Sequence, residues 1–158
     1  MTGQTIGQPW GMAFKLWHVP VRLATGAFIL NSGFSKRNAD KETAEQLHGF
    51  ASTAYPQFQE TPPEQFAKML SAGEIVVGAA LLIPFVPTGV AGAALTSFAS
   101  LLGRLYLGTP GMHEEGSLRP TQQGTPVAKD VWMLGIGSAL VLDALTDHLP
   151  GRRKTSSR

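Results

Sequence analysis

Glu74 is the residue whose chemistry most needs explaining. No acid or base separates it from Arg104, so its carboxylate opens a long apolar stretch. An ionisable side chain in a membrane segment costs about 2.5–3.5 kcal/mol on insertion scales and is kept by facing a bundle interior or a wet pocket. Arg22 and Asp143 also stand inside apolar stretches, while Lys36, Arg104, Lys129 and Asp130 stand at their ends. Arg22, Glu74, Asp143 and Asn31 form the expected intramembrane polar network. Lys36, Arg104, Lys129 and Asp130 form an expected charge cluster at the outer ends. Residues of both signs in this setting suit ion pairs that register helices, a proton site, or hydrogen bonds to a quinone headgroup.

Other chemistries lack their residues. The chain has no cysteine, which excludes disulfides, thiolate metal sites and iron–sulfur ligation by its own side chains. His113, Glu114 and Glu115 do not form the H-E-x-x-H zinc arrangement, and His18, His48 and His148 stand apart from any ligand set, so no metal is expected. Gly135, Ile136 and Gly137 do not follow a strand and cannot open a dinucleotide-binding turn. A net charge of +2 without a basic stripe argues against nucleic acid. No nucleophile and base stand at a catalytic spacing.

The elements that carry these charges follow from hydropathy and breakers. A bilayer core about 30 Å thick needs about 20 mostly apolar helical residues. Four stretches meet that length, at about residues 17–36, 66–85, 88–107 and 127–146. The uncharged turn at 84–89, with Pro84 and Pro87, separates the middle two. The expected fold is an all-α membrane protein, a bundle of four transmembrane helices filling residues 17–147. Residues 1–16 form an N-terminal segment and residues 148–158 a basic tail with Arg152, Arg153, Lys154 and Arg158. The first long linker places Ala44, Leu47, Phe50, Ala51 and Ala54 at helical spacing, which predicts a short amphipathic helix on the membrane surface or over the bundle mouth. The second, at 108–126, is rich in Gly and Pro and reads as irregular. Trp10, Trp17 and Trp132 suit membrane interfaces.

At roughly 100° per residue, Arg22, Gly26, Ile29, Gly33 and Lys36 share one face of the first helix. Ser71, Glu74, Gly78 and Leu81 share a face of the second. Ala93, Ser97, Ser100 and Arg104 do so in the third, and Lys129, Trp132, Ile136, Leu140 and Asp143 in the fourth. Small residues let transmembrane helices approach closely, so Gly26, Gly33, Gly78 and Gly135 are expected packing positions. Four spans put both termini on one side, which predicts Arg22 paired with Asp143 at that end and Arg104 paired with Asp130 at the other. The basic tail places the termini on the cytoplasmic side of a bacterial inner membrane.

Arg22, Gly26, Gly33 and Lys36, then Glu74 and Gly78, then Lys129, Asp130, Leu134, Gly135 and Asp143, in that order and spacing, resemble the DoxX family of bacterial four-helix membrane proteins, its actinobacterial branch especially. The resemblance runs from about residue 19 to 143. The chain departs from the family pattern in three places. It lacks the arginine of a Gly-Leu-x-x-Arg turn after the second helix, it has Asn31 and Ser32 where an aromatic-His pair is frequent, and it has Asp130 where Asn is usual. The resemblance implies a redox-associated membrane subunit, since some relatives are membrane subunits of thiosulfate:quinone oxidoreductase.

Three functions are therefore expected in descending order. The first is a non-catalytic membrane subunit or anchor of an oxidoreductase assembly, with redox enzymes and the lipid bilayer as partners and self-association open. The second is a quinone-binding subunit with its site near Glu74 and Arg22. The third is a small-solute or proton transporter.

Overall fold

The computed structural model describes residues 15–147; the first fourteen residues and the tail from residue 148, with Trp10, His148 and the basic cluster, lie outside the described residues. Five helices of fourteen residues or more carry the fold: α1 (His18–Arg37), α2 (Lys41–Ala54), α3 (Pro63–Leu82), α4 (Thr88–Gly108) and α6 (Val131–Asp147). A short turn of helix, α5 (Thr125–Ala128), and a 3-10 turn at Pro56–Phe58 complete it. The described residues contain no strand, only an isolated bridge between His113 and Pro120.

Local chemistry sets the boundaries. Asp40 caps α2 by accepting a hydrogen bond from the Thr43 amide at 2.8 Å. Tyr55 and Pro56 end that helix, because a residue before proline is driven out of helical geometry. Pro63 sits in the first turn of α3, where its missing N–H costs nothing, and Glu64 suits the positive helix start. Pro84 ends α3 by the same rule that ends α2, leaving a turn of five residues before α4.

The helices pack as two antiparallel pairs. α1 lies along α3 through small residues: a methyl group on Gly78 would come within 2.7 Å of the Leu30 backbone nitrogen, and one on Gly33 within 2.9 Å of the Ile75 nitrogen. The Ser71 hydroxyl donates to the Gly33 carbonyl at 2.7 Å in the same seam. α4 lies along α6 through Gly92 and Gly137, each against the other's backbone carbonyl. The pairs meet in a core of Ile29, Val77, Leu81, Leu95, Met133 and Leu140. α2 crosses α3 and α4 with Ala44, Ala51 and Ala54 turned inward, so the expected amphipathic helix covers the bundle mouth.

The expectations for the spans and the packing glycines are refined. α3 and α4 are long and apolar enough to cross a membrane. α1 has 20 residues but carries Arg22, Lys36 and Arg37, and α6 has 17. α6 is short because the apolar stretch from residue 127 is interrupted: Thr125–Ala128 closes its own turn, and the main helix starts only at Val131. Gly135 is exposed with open space around it, and Gly137, two residues on, is the packing glycine of α6. Gly26, Gly33 and Gly78 lie in the seam between α1 and α3.

Candidate functional site

Antiparallel pairing gathers the charged residues at two ends. The N-terminal end of α1, the C-terminal end of α3, the start of α4 and the end of α6 come together. Arg22 is buried there, 4% exposed, and it does not meet Asp143. Its Nε donates to the Leu81 carbonyl at 2.8 Å, and its terminal nitrogens donate to the carbonyls of Ala80, Ile83 and Val86 at 3.0–3.2 Å. The last carbonyls of a helix have no partner inside it and carry partial negative charge, so the guanidinium closes the end of α3 and the following turn.

Asp143 takes other partners. Lys15 Nζ lies 2.7 Å from both of its oxygens and 3.0 Å from Asp147, and His18 Nε2 lies 3.0 Å from Asp143 Oδ2. His18 is 1% exposed, between Asp143 and the Thr88 hydroxyl at 3.4 Å. The hydrogen bonds to Asp143 and then Asp147 hold the Lys15 ammonium above its ordinary value. This cluster joins the start of α1 to the start of α4 and the end of α6, and so clasps the two helix pairs at the terminus end.

At the opposite end the helices border an open-sided cavity of about 670 Å³. α1, α3 and α4 form its walls, α2 and Phe58 its roof, and Met112, Val127 and Met133 its far side. The lining is mostly apolar, with six aromatic rings: Phe28, Phe50, Tyr55, Phe58, Phe66 and Phe98. The charged part of the wall is Glu74 facing Lys36, whose Nζ lies 3.0 Å from each Glu74 oxygen and also donates to the Ser32 hydroxyl. Lys129 and Asp130 line the same space. Lys129 is exposed. The Asp130 carboxylate makes no hydrogen bond or ion pair among the described residues, and feels Lys129 and Lys36 only through their charge.

Arg104 does not pair with Asp130 as expected. Its guanidinium lies over the Tyr55 ring, 5.0 Å from the centroid, while the Tyr55 hydroxyl donates to the Leu101 carbonyl at 2.8 Å. Burial pushes the Tyr55 phenol up, partly offset by Arg104. Asn31 is exposed on the outer face of α1 and takes no part in a polar interior. Of the expected polar network, then, Glu74 alone lines the cavity, and Lys36 from the outer cluster is its partner.

Spacing within the apolar stretches gives Lys15 and Tyr55 no site signal, and His18 stands apart from any ligand set. Lys15 lies just before the first apolar stretch, three residues from His18, a spacing that sets both against one acidic partner. Tyr55 carried only a helix-ending signal. Among the described residues no group of three or more metal-ligating side chains occurs.

Comparison of the chain with protein-family models, with curated proteins and with solved structures returned no match.

Proposed function

We propose that this chain is an integral membrane subunit with all four long helices in the bilayer, and that its bundle binds an amphipathic small molecule. The observation that carries the binding function is the cavity itself: a largely apolar space of about 670 Å³ that reaches the charged pair of Lys36 and Glu74. Ligand sites are concave and mainly apolar, with a few placed polar groups, and usually span about 300–1,000 Å³. A subunit serving only as an anchor has no need of such a space.

The membrane placement is supported by an inverted surface. Large apolar side chains are exposed on all four long helices, among them Phe28, Val76, Val90 and Leu142, while Arg22, Thr25, Ser71 and Glu74 are buried. Water would oppose both features, and lipid favours them. α1 and α6 cross as the less regular members: α1 with its charges turned to α3, and α6 with 17 residues covering about 25 Å at 1.5 Å per residue. The termini lie on the cytoplasmic side of a bacterial inner membrane, both linkers on the other. The DoxX resemblance adds a redox-associated assembly as the setting and, as the alternative ligand, a quinone; both rest on the resemblance alone.

The test is to express the full chain in bacteria, wash the membranes with alkaline carbonate, purify in mild maltoside detergent, and identify bound small molecules by mass spectrometry of the solvent extract. Retention in the washed membrane with a stoichiometric amphiphile supports the reading. Release by carbonate would refute the membrane placement, and an empty protein would refute the binding function. Redox proteins recovered with the chain would support the assembly.

A further inference from the structure

The hydrogen-bonding inventory of the cavity wall specifies which headgroup it accepts. An ammonium has three N–H donors and no acceptor. Lys36 directs all of its capacity to the Ser32 hydroxyl and the two oxygens of Glu74. It has nothing left to give a ligand. A carboxylate offers about four acceptor sites, so Glu74 keeps two of its own unused after accepting from Lys36. The Asp130 carboxylate keeps all of its sites, since it accepts no hydrogen bond among the described residues. Lys129 is the remaining cation on the lining, and it is exposed, where water screens its charge. Among its charged groups the wall therefore offers free acceptors but no buried donor; its other donors are the Ser32 hydroxyl and the exposed amides of Gln57 and Gln123.

The apolar lining points the same way. Six aromatic side chains border the cavity, and the faces of aromatic rings attract cations. Arg104 over Tyr55 already uses one such face from outside the cavity lining.

We infer that the cavity takes an amphiphile whose headgroup is a protonated amine, seated between Asp130 and Glu74 with its apolar body among the aromatic rings. This rests on the amphiphile-binding function proposed above and narrows it. A carboxylate headgroup would meet two carboxylates. An oxidised quinone, with carbonyl acceptors only, would find no free donor on Lys36. The Asp130 carboxylate is the group that sets the preference, and Lys36 tunes it by neutralising Glu74.

The full-length protein, carrying W10F and W17F so that Trp132 is the reporter, is titrated in maltoside micelles with dodecylamine, dodecanol and dodecanoate at pH 7. Protein-free micelles correct for partition. Trp132 is suitable because its ring lies 5.9 Å from that of Phe28, which lines the cavity. Dodecylamine is expected to bind at least about tenfold more tightly than dodecanol, the effect of one hydrogen bond between charged groups. Dodecanoate is expected to be the weakest. The amine-to-alcohol ratio falls towards one in D130N, returns in D130E, and is unaffected by E114Q on the exposed linker. Equal binding of all three would overturn the ammonium inference while leaving the amphiphile site intact, and so would tighter binding of dodecanoate. Binding of none would overturn the amphiphile site itself.

Discussion

Arg22 on α1 closes the end of α3 by donating from Nε to the Leu81 carbonyl, 59 residues further along the chain. Its terminal nitrogens reach three more carbonyls of the same end and turn. Replacing the guanidinium by an apolar group strands these acceptors in a buried site. R22M is expected to lose about 2–4 kcal/mol, because buried acceptors then carry their full desolvation cost. R22K should recover less than half, since one ammonium cannot reproduce the planar fork. Thermal unfolding of the purified protein in detergent, followed by circular dichroism, measures both. Unchanged stability in R22M would remove the capping role. A coupling between R22M and D143N in a double-mutant cycle would instead restore the ion pair expected from the sequence.

Two glycines provide a matched comparison. A methyl at Gly78 would come within 2.7 Å of the Leu30 nitrogen and 2.9 Å of its Cα, atoms that cannot turn aside. G78A must therefore push α1 away from α3, at a cost of about 1–3 kcal/mol for overpacking. Gly135 has open space around the same position, so G135A should gain about 0.5–1 kcal/mol from helix propensity. The same unfolding experiment reads both signs. Destabilisation by G135A would return that glycine to the packing role its spacing suggested.

The order of the helices and the grouping of their ends could be read from the sequence, because long apolar stretches and prolines mark them without reference to tertiary structure. Helical spacing also placed Gly26, Gly33 and Gly78 on packed faces. Spacing tells which residues share a face, but not which helix lies opposite. Arg22 and Asp143 do lie at the same end, yet α1 packs on α3 and α4 on α6, so each finds its partner elsewhere. Asp143 meets Lys15, which precedes the first apolar stretch. The late start of α6 was hidden because Val127 and Ala128 are apolar, whether inside the main helix or in a separate turn. The cavity could not be read at all. It lies between the helices beneath α2, and no local pattern encodes that distance.

The Lys15 clasp gives a pH dependence with a defined sign. Asp143 and Asp147 hold its ammonium above the ordinary lysine value of 10.5. A group whose folded value is raised stabilises fully below its unfolded value, and that contribution disappears as pH climbs through the folded one. The terminus end should therefore loosen above pH 10.5, not in the neutral range. Trp17, whose ring meets His18 at 4.2 Å, reports on it in a W10F/W132F background. Fluorescence between about pH 9 and 12, the range in which lysine titrates, should show a transition that K15M lacks. An identical transition in K15M would assign the change to another group.

Lys36 and Glu74 allow pairing to be separated from burial. The Glu74 side chain is 8% exposed and that of Lys36 21%, and each is the other's only ionic partner among the described residues. Removing one charge leaves the other in a cavity wall without compensation, and breaking a buried pair in this way costs about 3–5 kcal/mol. K36M and E74Q should each fall near the lower end of that range, because Lys36 is partly exposed. Replacing both residues by apolar groups removes the desolvation cost with the attraction, so K36M/E74L should unfold within about 1 kcal/mol of the parent. A loss in the double variant equal to the sum of the two single losses would mean that the two side chains act independently, and that packing of their aliphatic stems holds the helices. Recovery in the double variant would show that the pair is not needed for the fold, and that desolvation of the two charges offsets their attraction.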